Sequence, residues 1–183
     1  MIQLPSNFEL ERYGIKARLV CEEDAEFITA LRSNAKLGRY IHANSGDVEA
    51  QKLWTREYKK REAEALDYYF IFFKDDKPIV LCRLYAIDWV HLSYTSGSWL
   101  SVPGTDYEDV MKCSVIMGEI AQDALGLLVD IYDVRKGNAQ VLKFHRNILH
   151  AHQYGETEQD YLFMSTPETR KNSRLRKLLG LNK

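Results

Sequence analysis

The chain has 183 residues, 45% of them hydrophobic and 28% charged, which is enough apolar material for one packed core and excludes a disordered or fibrous chain. Its formal net charge is −1, so no overall field draws it to nucleic acid or to an anionic membrane. With no bilayer-length apolar run, no leader pattern at Met1 and only the scattered Cys21, Cys82 and Cys113, the expectation is a single soluble cytoplasmic domain without a disulfide framework or a metal.

Ile15, Ala17 and Leu19 alternate, which predicts a strand over 15–20. Ala25, Ile28, Leu31 and Ala35 then repeat at helical spacing, behind a first turn crowded with Glu22, Glu23 and Asp24 where a helix dipole favours negative charge. A polar segment around Gly38 and Asn44-Ser45-Gly46-Asp47 breaks the pattern. A second helix is expected over 48–65, with Ser45 or Asp47 as its cap and Trp54 and Tyr58 on one face.

Next come "YYFIFF", "IVLCRLYAI" and "TSGSWLSV", three strand signals on short connections that predict an antiparallel meander. "PGTD" stops it. Val110, Cys113, Ser114, Met117, Ala121 and Ala124 mark the buried stripe of a helix ending at Gly126. "LLVDIYDV" (127–134) reads as a continuous apolar run, as a central parallel strand requires. A helix starting near Asn138, a hairpin around Gly155, and a basic helix opened by Thr166-Pro167 and carrying Leu175, Leu178 and Leu179 complete the chain. The fold class expected is mixed α/β (α+β). The sheet is mostly antiparallel with one central parallel pair, helices lie on both faces, the core spans 15–165 and the basic tail covers 166–183. The ends of the parallel pair form a crevice of the kind that binds ligands in open α/β sheets.

Asn138 and His145 lie seven residues apart, two helical turns, and so share a face with Val141, Leu142, Ile148 and Leu149. On the pattern alone Asn138 is a helix cap and His145 a core residue. Arg83, Tyr85 and Asp88 of "RLYAID" are placed on one sheet face, with a cross-strand Arg–Asp pair as their ordinary role. His150 and His152 alternate along a strand but have no third partner at metal-ligand spacing.

The element order, together with "ARLVCEEDAEFITALRSN", "NAQVLKFHRNILHA", "RLYAID", "GSW" and "PGT", resembles the GCN5-related N-acetyltransferase superfamily, and within it the ribosomal-protein-alanine and sugar acetyltransferase branch. The resemblance runs from about Ile15 to Ser165. It implies acetyl-CoA as co-substrate and a primary amine of an amino sugar or sugar nucleotide as acceptor, attacking the thioester directly. A protein N-terminus as acceptor and a non-catalytic module on the same fold are the alternatives. The pantetheine arm would lie along Trp99, Leu100, Ser101 and Val102. The pyrophosphate would sit at Gly104 and Thr105, where the next helix presents unpaired N–H groups. Arg135 would reach a phosphate, Asn138 would orient the pantetheine or thiolate, and His145, standing where the family has a tyrosine, would protonate the departing sulfur. Asp88 would accept the amine proton. Arg32, Asn34, Tyr40, Arg83 and Tyr85 would form the acceptor wall, with Trp99 a platform for a sugar. The expected partner is a small-molecule amine, with neither nucleic acid nor membrane, and a homodimer is an allowed assembly. Two departures stand out. "PGTDYEDV" replaces the family's Gln/Arg-x-x-Gly-x-Gly/Ala loop, and "ILHA" stands where Gly-Phe is usual.

Overall fold

The alternation over "IKARL" makes β2 (Ile15–Leu19), with Ile15, Ala17 and Leu19 buried. In the computed structural model, which describes residues 1–34, 37 and 46–181, a further strand precedes it. This β1 (Glu9–Arg12) was not foreseen, because "ELER" offers a single apolar residue, Leu10, and no alternation. Its cause is the turn: Tyr13 and Gly14 are both left-handed (φ 57° and 71°), the geometry of a two-residue hairpin. Helix α1 (Ala25–Arg32) buries Ala25, Ile28 and Leu31 as its spacing requires. Asp24 ahead of it accepts two bonds from Arg18, each 2.7 Å, and the Cys21 N–H at 2.9 Å.

Asp47 caps α2 (Val48–Ala63) by accepting the Glu49 N–H at 2.9 Å. Trp54 and Tyr58 share one face of this helix, their rings stacked 5.6 Å apart. Tyr58 is fully buried; its hydroxyl accepts the Tyr69 N–H at 2.8 Å and donates to Glu62. Tyr58→Phe leaves that buried amide and carboxylate short of a partner, so we expect a loss of about 1–3 kcal/mol, read as a Tm lower by several degrees in a thermal melt.

The meander follows as β3 (Tyr68–Lys74), β4 (Lys77–Asp88) and β5 (Ser93–Ser101). Helix α3 (Tyr107–Glu119) continues through a π-helical turn, Ile120–Ala124, to the left-handed Gly126. Then come β6 (Val129–Arg135), α4 (Ala139–Lys143) with a π-helical extension Phe144–Leu149, and the hairpin β7 (His152–Glu156) and β8 (Asp160–Ser165). That hairpin turns over 157–159 rather than at Gly155, which lies within β7. His150 is a left-handed residue closing the π-helical extension, so it does not share a strand face with His152. The basic tail forms two short helices, α5 (Pro167–Asn172) and α6 (Arg174–Leu178), not one. Ser173 is extended between them and its hydroxyl donates to the Arg170 carbonyl at 2.7 Å.

The described strands form one sheet in the order β1-β2-β3-β4-β5-β6-β8-β7. Only β5 and β6 pair in parallel, as expected. Helices α1 and α2 cover Tyr69, Ile71, Leu81 and Leu100 on one face. Helix α3 covers Phe70, Phe72, Cys82 and Leu84 on the other. The C-terminal helices pack against α3 and the π-helical extension of α4, with Leu175 beside Val115 and Leu149. At the end of α3, Glu119 takes hydrogen bonds from Arg12 (2.7 Å), Tyr13 (2.6 Å) and Arg176 (2.8 Å), tying the first hairpin and α6 to one carboxylate. Among the described residues no helix is long and apolar enough to cross a membrane.

Candidate active site

The parallel pairing of β5 and β6 covers only Ser93↔Val129 and Tyr94↔Asp130. Beyond it β5 stays with β4 as far as Ser101, and β6 stays with β8 as far as Arg135. The two halves of the sheet therefore part company, leaving a gap that opens toward the C-terminal ends of both strands. A bulge in β5 marks the place: the register shifts opposite Leu81–Arg83 and Ser98 is left-handed (φ 52°). Such a φ in a residue with a Cβ stores strain, and strain of this kind concentrates at functional sites.

The bulge decides which backbone groups face the gap. The Val102 N–H donates to the Ile79 carbonyl at 2.8 Å, so Val102, and Leu100 two residues before it, turn their backbone toward β4. By alternation Trp99 and Ser101 turn theirs toward the gap. Of the four residues expected along the pantetheine, Trp99 and Ser101 turn their backbone to the gap. Leu100 and Val102 do not: their amides belong to β4 and their side chains pack with α1 and α2. The Trp99 side chain packs on the α3 face, away from Arg83 and Trp54.

On β6 the inward residues are Asp130, Tyr132 and Val134, whereas Ile131 and Asp133 are exposed on the opposite face. His145, in the π-helical extension of α4, meets this row. Its Nδ1 lies 2.8 Å from the Tyr132 hydroxyl, which also lies 3.2 Å from the Ser165 hydroxyl. The ring packs 4.7 Å from Tyr132 and 5.8 Å from Phe163, centre to centre. Burial, and then the nearby Arg170 charge, push the imidazole pKa down to about 3. This corrects the expected imidazolium acid: at neutral pH His145 is uncharged. The expectation from pattern alone, a packed histidine, describes its surroundings, and its ring is held against Tyr132 of the strand that borders the gap. Asn138 caps α4, its side chain accepting the Val141 N–H at 3.5 Å.

The loop before α3 is less accommodating. Gly104 is left-handed (φ 87°), with open space where a Cβ would be, and the Thr105 N–H is taken by the Val102 carbonyl at 3.1 Å. Asp106 caps α3 itself, accepting the Glu108 N–H at 2.8 Å. Glu108 and Asp109 are drawn to Lys112, at 2.7 and 3.6 Å, which neutralises part of their charge. Arg135, expected at a phosphate, is held instead by Asp160 at 3.1 Å and by Gln159, because β8 runs beside it.

The described residues expected in an acceptor wall lie on the α1/α2 side. Arg83 pairs with Asp67, which is 2% exposed, and its guanidinium lies between the rings of Trp54 and Tyr85, 5.1 Å from each. Arg61 reaches the same carboxylate at 3.0 Å. Burial pushes the Tyr69 phenol up while Arg32 and Arg83 pull it back, which places both arginines beside it. Gly97 on β5 makes room for Tyr85: a Cβ there would meet the ring at 2.9 Å. Asn34 shapes the turn after α1, its Oδ1 accepting the Leu37 N–H at 3.4 Å. Tyr40 lies outside the described residues.

Asp88 is corrected. It does not pair with Arg83; it accepts the Val90 and His91 N–H groups at 2.8 and 3.1 Å and contacts the His91 ring at 2.6 Å. Those bonds, the His91 ring first, hold its carboxyl below the usual range. It also sits opposite Ser93, at the closed end of the sheet, roughly 15 Å along β4 from Arg83. A carboxylate that stands beside the gap near Tyr85 is Asp133, passed over in the sequence. Burial, and next the Asp133 charge, raise the Tyr85 phenol, so the two are neighbours. The signal was the alternation of "VDIYDVR", which sets 131 and 133 against 130, 132 and 134.

No protein-family model and no curated protein matches the sequence. Solved structures do. A nucleotide-linked sugar GNAT, FdhC in its apo form, is 32% identical with a TM-score of 0.84, over 96% of this chain and 99% of that one. The ribosomal-protein-S5-alanine acetyltransferase from Vibrio fischeri (14% identity, TM-score 0.74, 87% and 97% coverage) shares the fold. So does the spermidine N-acetyltransferase from Vibrio cholerae solved with CoA and spermine (16%, 0.72, 88% and 100%). The parted parallel strands, the bulge and the 32% identity over nearly the whole length agree: this chain belongs to the GNAT superfamily of acetyltransferases.

Proposed function

We propose that the protein transfers an acetyl group from acetyl-CoA to the primary amine of an amino sugar carried on a nucleotide. The observation that carries the reading is the gap between β5 and β6, edged by the Trp99 and Ser101 backbone on one side and by Tyr132 with His145 on the other. The likeness to a nucleotide-linked sugar GNAT supports the acceptor class. A thioester laid along β5 meets main-chain amides near the bulge, which polarise its carbonyl without reorganising. The acceptor enters from the α1/α2 face, over Arg83, Tyr85 and Trp54. Asp133 takes the amine proton as the C–N bond forms. With the Tyr132 hydroxyl donating to Nδ1, the His145 hydrogen resides on Nε2 and is donated to the departing sulfur as a hydrogen bond.

One feature favours a second reading, a fold that has lost its coenzyme: Asp106, Glu108 and Asp109 stand at the start of α3, where a diphosphate would have to sit. Calorimetric titration with acetyl-CoA separates the two. Micromolar binding, followed by release of free thiol that depends on an added amino-sugar nucleotide, is the expected result. Absence of binding at millimolar coenzyme establishes the second reading.

A further inference from the structure

Asp130 is the second residue of β6 and is 1% exposed. It occupies the point where the parallel ladder ends. In an unbroken ladder the Ser96 N–H would find a main-chain carbonyl of β6; here it donates to the Asp130 carboxylate at 2.9 Å, and the Ser96 hydroxyl donates to the same group at 2.8 Å. A side chain thus stands between the strands where their backbones would otherwise join. The third bond comes from outside the strand pair. Arg170 of α5 reaches in with Nη2 at 2.7 Å from Asp130 and 3.3 Å from the Tyr94 hydroxyl. Helix α3 admits it through Gly118, where a Cβ would lie 2.8 Å from the guanidinium. The Arg170 Nε is buried without a hydrogen-bond partner among the described residues, so the side chain is placed for the carboxylate and for little else.

We infer that Asp130 is a wedge that sets the opening between β5 and β6, and that Arg170 is the latch that holds it, making both of them positioning residues for the coenzyme site. The inference rests on the acetyltransferase reading for its consequence, not for its geometry. Removing the wedge frees the Ser96 amide and lets the gap edge shift. Only groups flanking the gap, not the sheet as a whole, then change.

The test uses the full chain with Asp130→Ala, which removes the acceptor, and Asp130→Asn, which keeps an oxygen for the Ser96 N–H. Arg170→Met serves where Asp130→Ala does not fold. Each is measured by thermal melt, by exchange of the Ser96 amide in NMR, and by titration with acetyl-CoA. Expected for Asp130→Ala, and for Arg170→Met in its place, is at least tenfold faster Ser96 exchange and at least tenfold weaker binding, at a temperature where circular dichroism is native. Asp130→Asn is expected to bind within about threefold of the parent despite a lower Tm. Binding by Asp130→Ala equal to the parent overturns the inference, as does Asp130→Asn falling as far as Asp130→Ala. If the parent takes no acetyl-CoA, the enzyme reading fails by itself. The Ser96 amide then decides: the wedge stands on faster exchange and falls on unchanged exchange.

Discussion

His145→Phe is expected to lower kcat by roughly 10–100-fold, with KM for the coenzyme moving much less. The phenyl ring keeps the packing against Tyr132 and Phe163 but removes the donor that the departing sulfur would use. A hydrogen bond to a charged group is worth about 1.5–3 kcal/mol, which sets that range. The pH dependence is the sharper readout. An imidazole with its pKa pushed down to about 3 is neutral throughout the range from pH 5 to 9. The parent kcat should therefore show no inflection near 6.5 that vanishes in His145→Phe. If such an inflection is found, His145 is charged in the working enzyme and its role is that of an ordinary acid.

Asp67→Ala is expected to be the most damaging single change to stability in the cluster around Arg83. The carboxylate is 2% exposed and holds Arg83 by a two-pronged contact and Arg61 by a third bond. A guanidinium keeps its charge in proteins, so Arg83 stays charged when its partner is lost. Removing one member of a buried pair costs about 3–5 kcal/mol, and the partial exposure of Arg83 puts the expectation near the lower end. At about 2–4 °C per kcal/mol for a chain of this size, a melt should show Tm lower by roughly 10 °C. Surviving protein should also bind acceptor poorly, since Arg83 no longer lies fixed between Trp54 and Tyr85. An unchanged Tm would mean that Arg61 and Arg83 find water on relaxing, and that Asp67 is not what orders the cluster.

The architecture was legible because its signals are local. Alternation in "IKARL" and the stripe of Ala25, Ile28 and Leu31 depend on neighbours in sequence, and the burial follows them. Thr166-Pro167 starts a helix for equally local reasons, the Thr166 side chain accepting the Thr169 N–H. The misses are of another kind. "LLVDIYDV" read as an unbroken apolar run, yet Asp130 within it is stabilised by Ser96, 34 residues back, and by Arg170, 40 residues on. Arg83 seemed to belong with Asp88, five places away in its own strand. The bulge after Tyr85 and the left-handed Ala86 send Asp88 to a turn with His91, and Arg83 finds Asp67 on the neighbouring chain segment. A charged group chooses its partner in three dimensions, and hydrophobic periodicity carries no record of that choice. The backbone edge of the gap was half visible for the same reason: the segment 99–102 could be named, but the bulge decides which of its residues turn outward.

The two arginines of the C-terminal helices have a consequence for how the chain is made. Asp130 and Glu119 emerge from the ribosome 40 and 57 residues before Arg170 and Arg176. Glu119 already has Arg12 and Tyr13, but until Arg170 arrives Asp130 faces burial with Ser96 alone and no countercharge, a state that costs too much to persist. During synthesis the first meander can close on its own local pairings, while the β5–β6 junction stays hydrated and unformed. The opening at the centre of the molecule is therefore among the last features to acquire its shape, set by a segment that contributes nothing to the sheet.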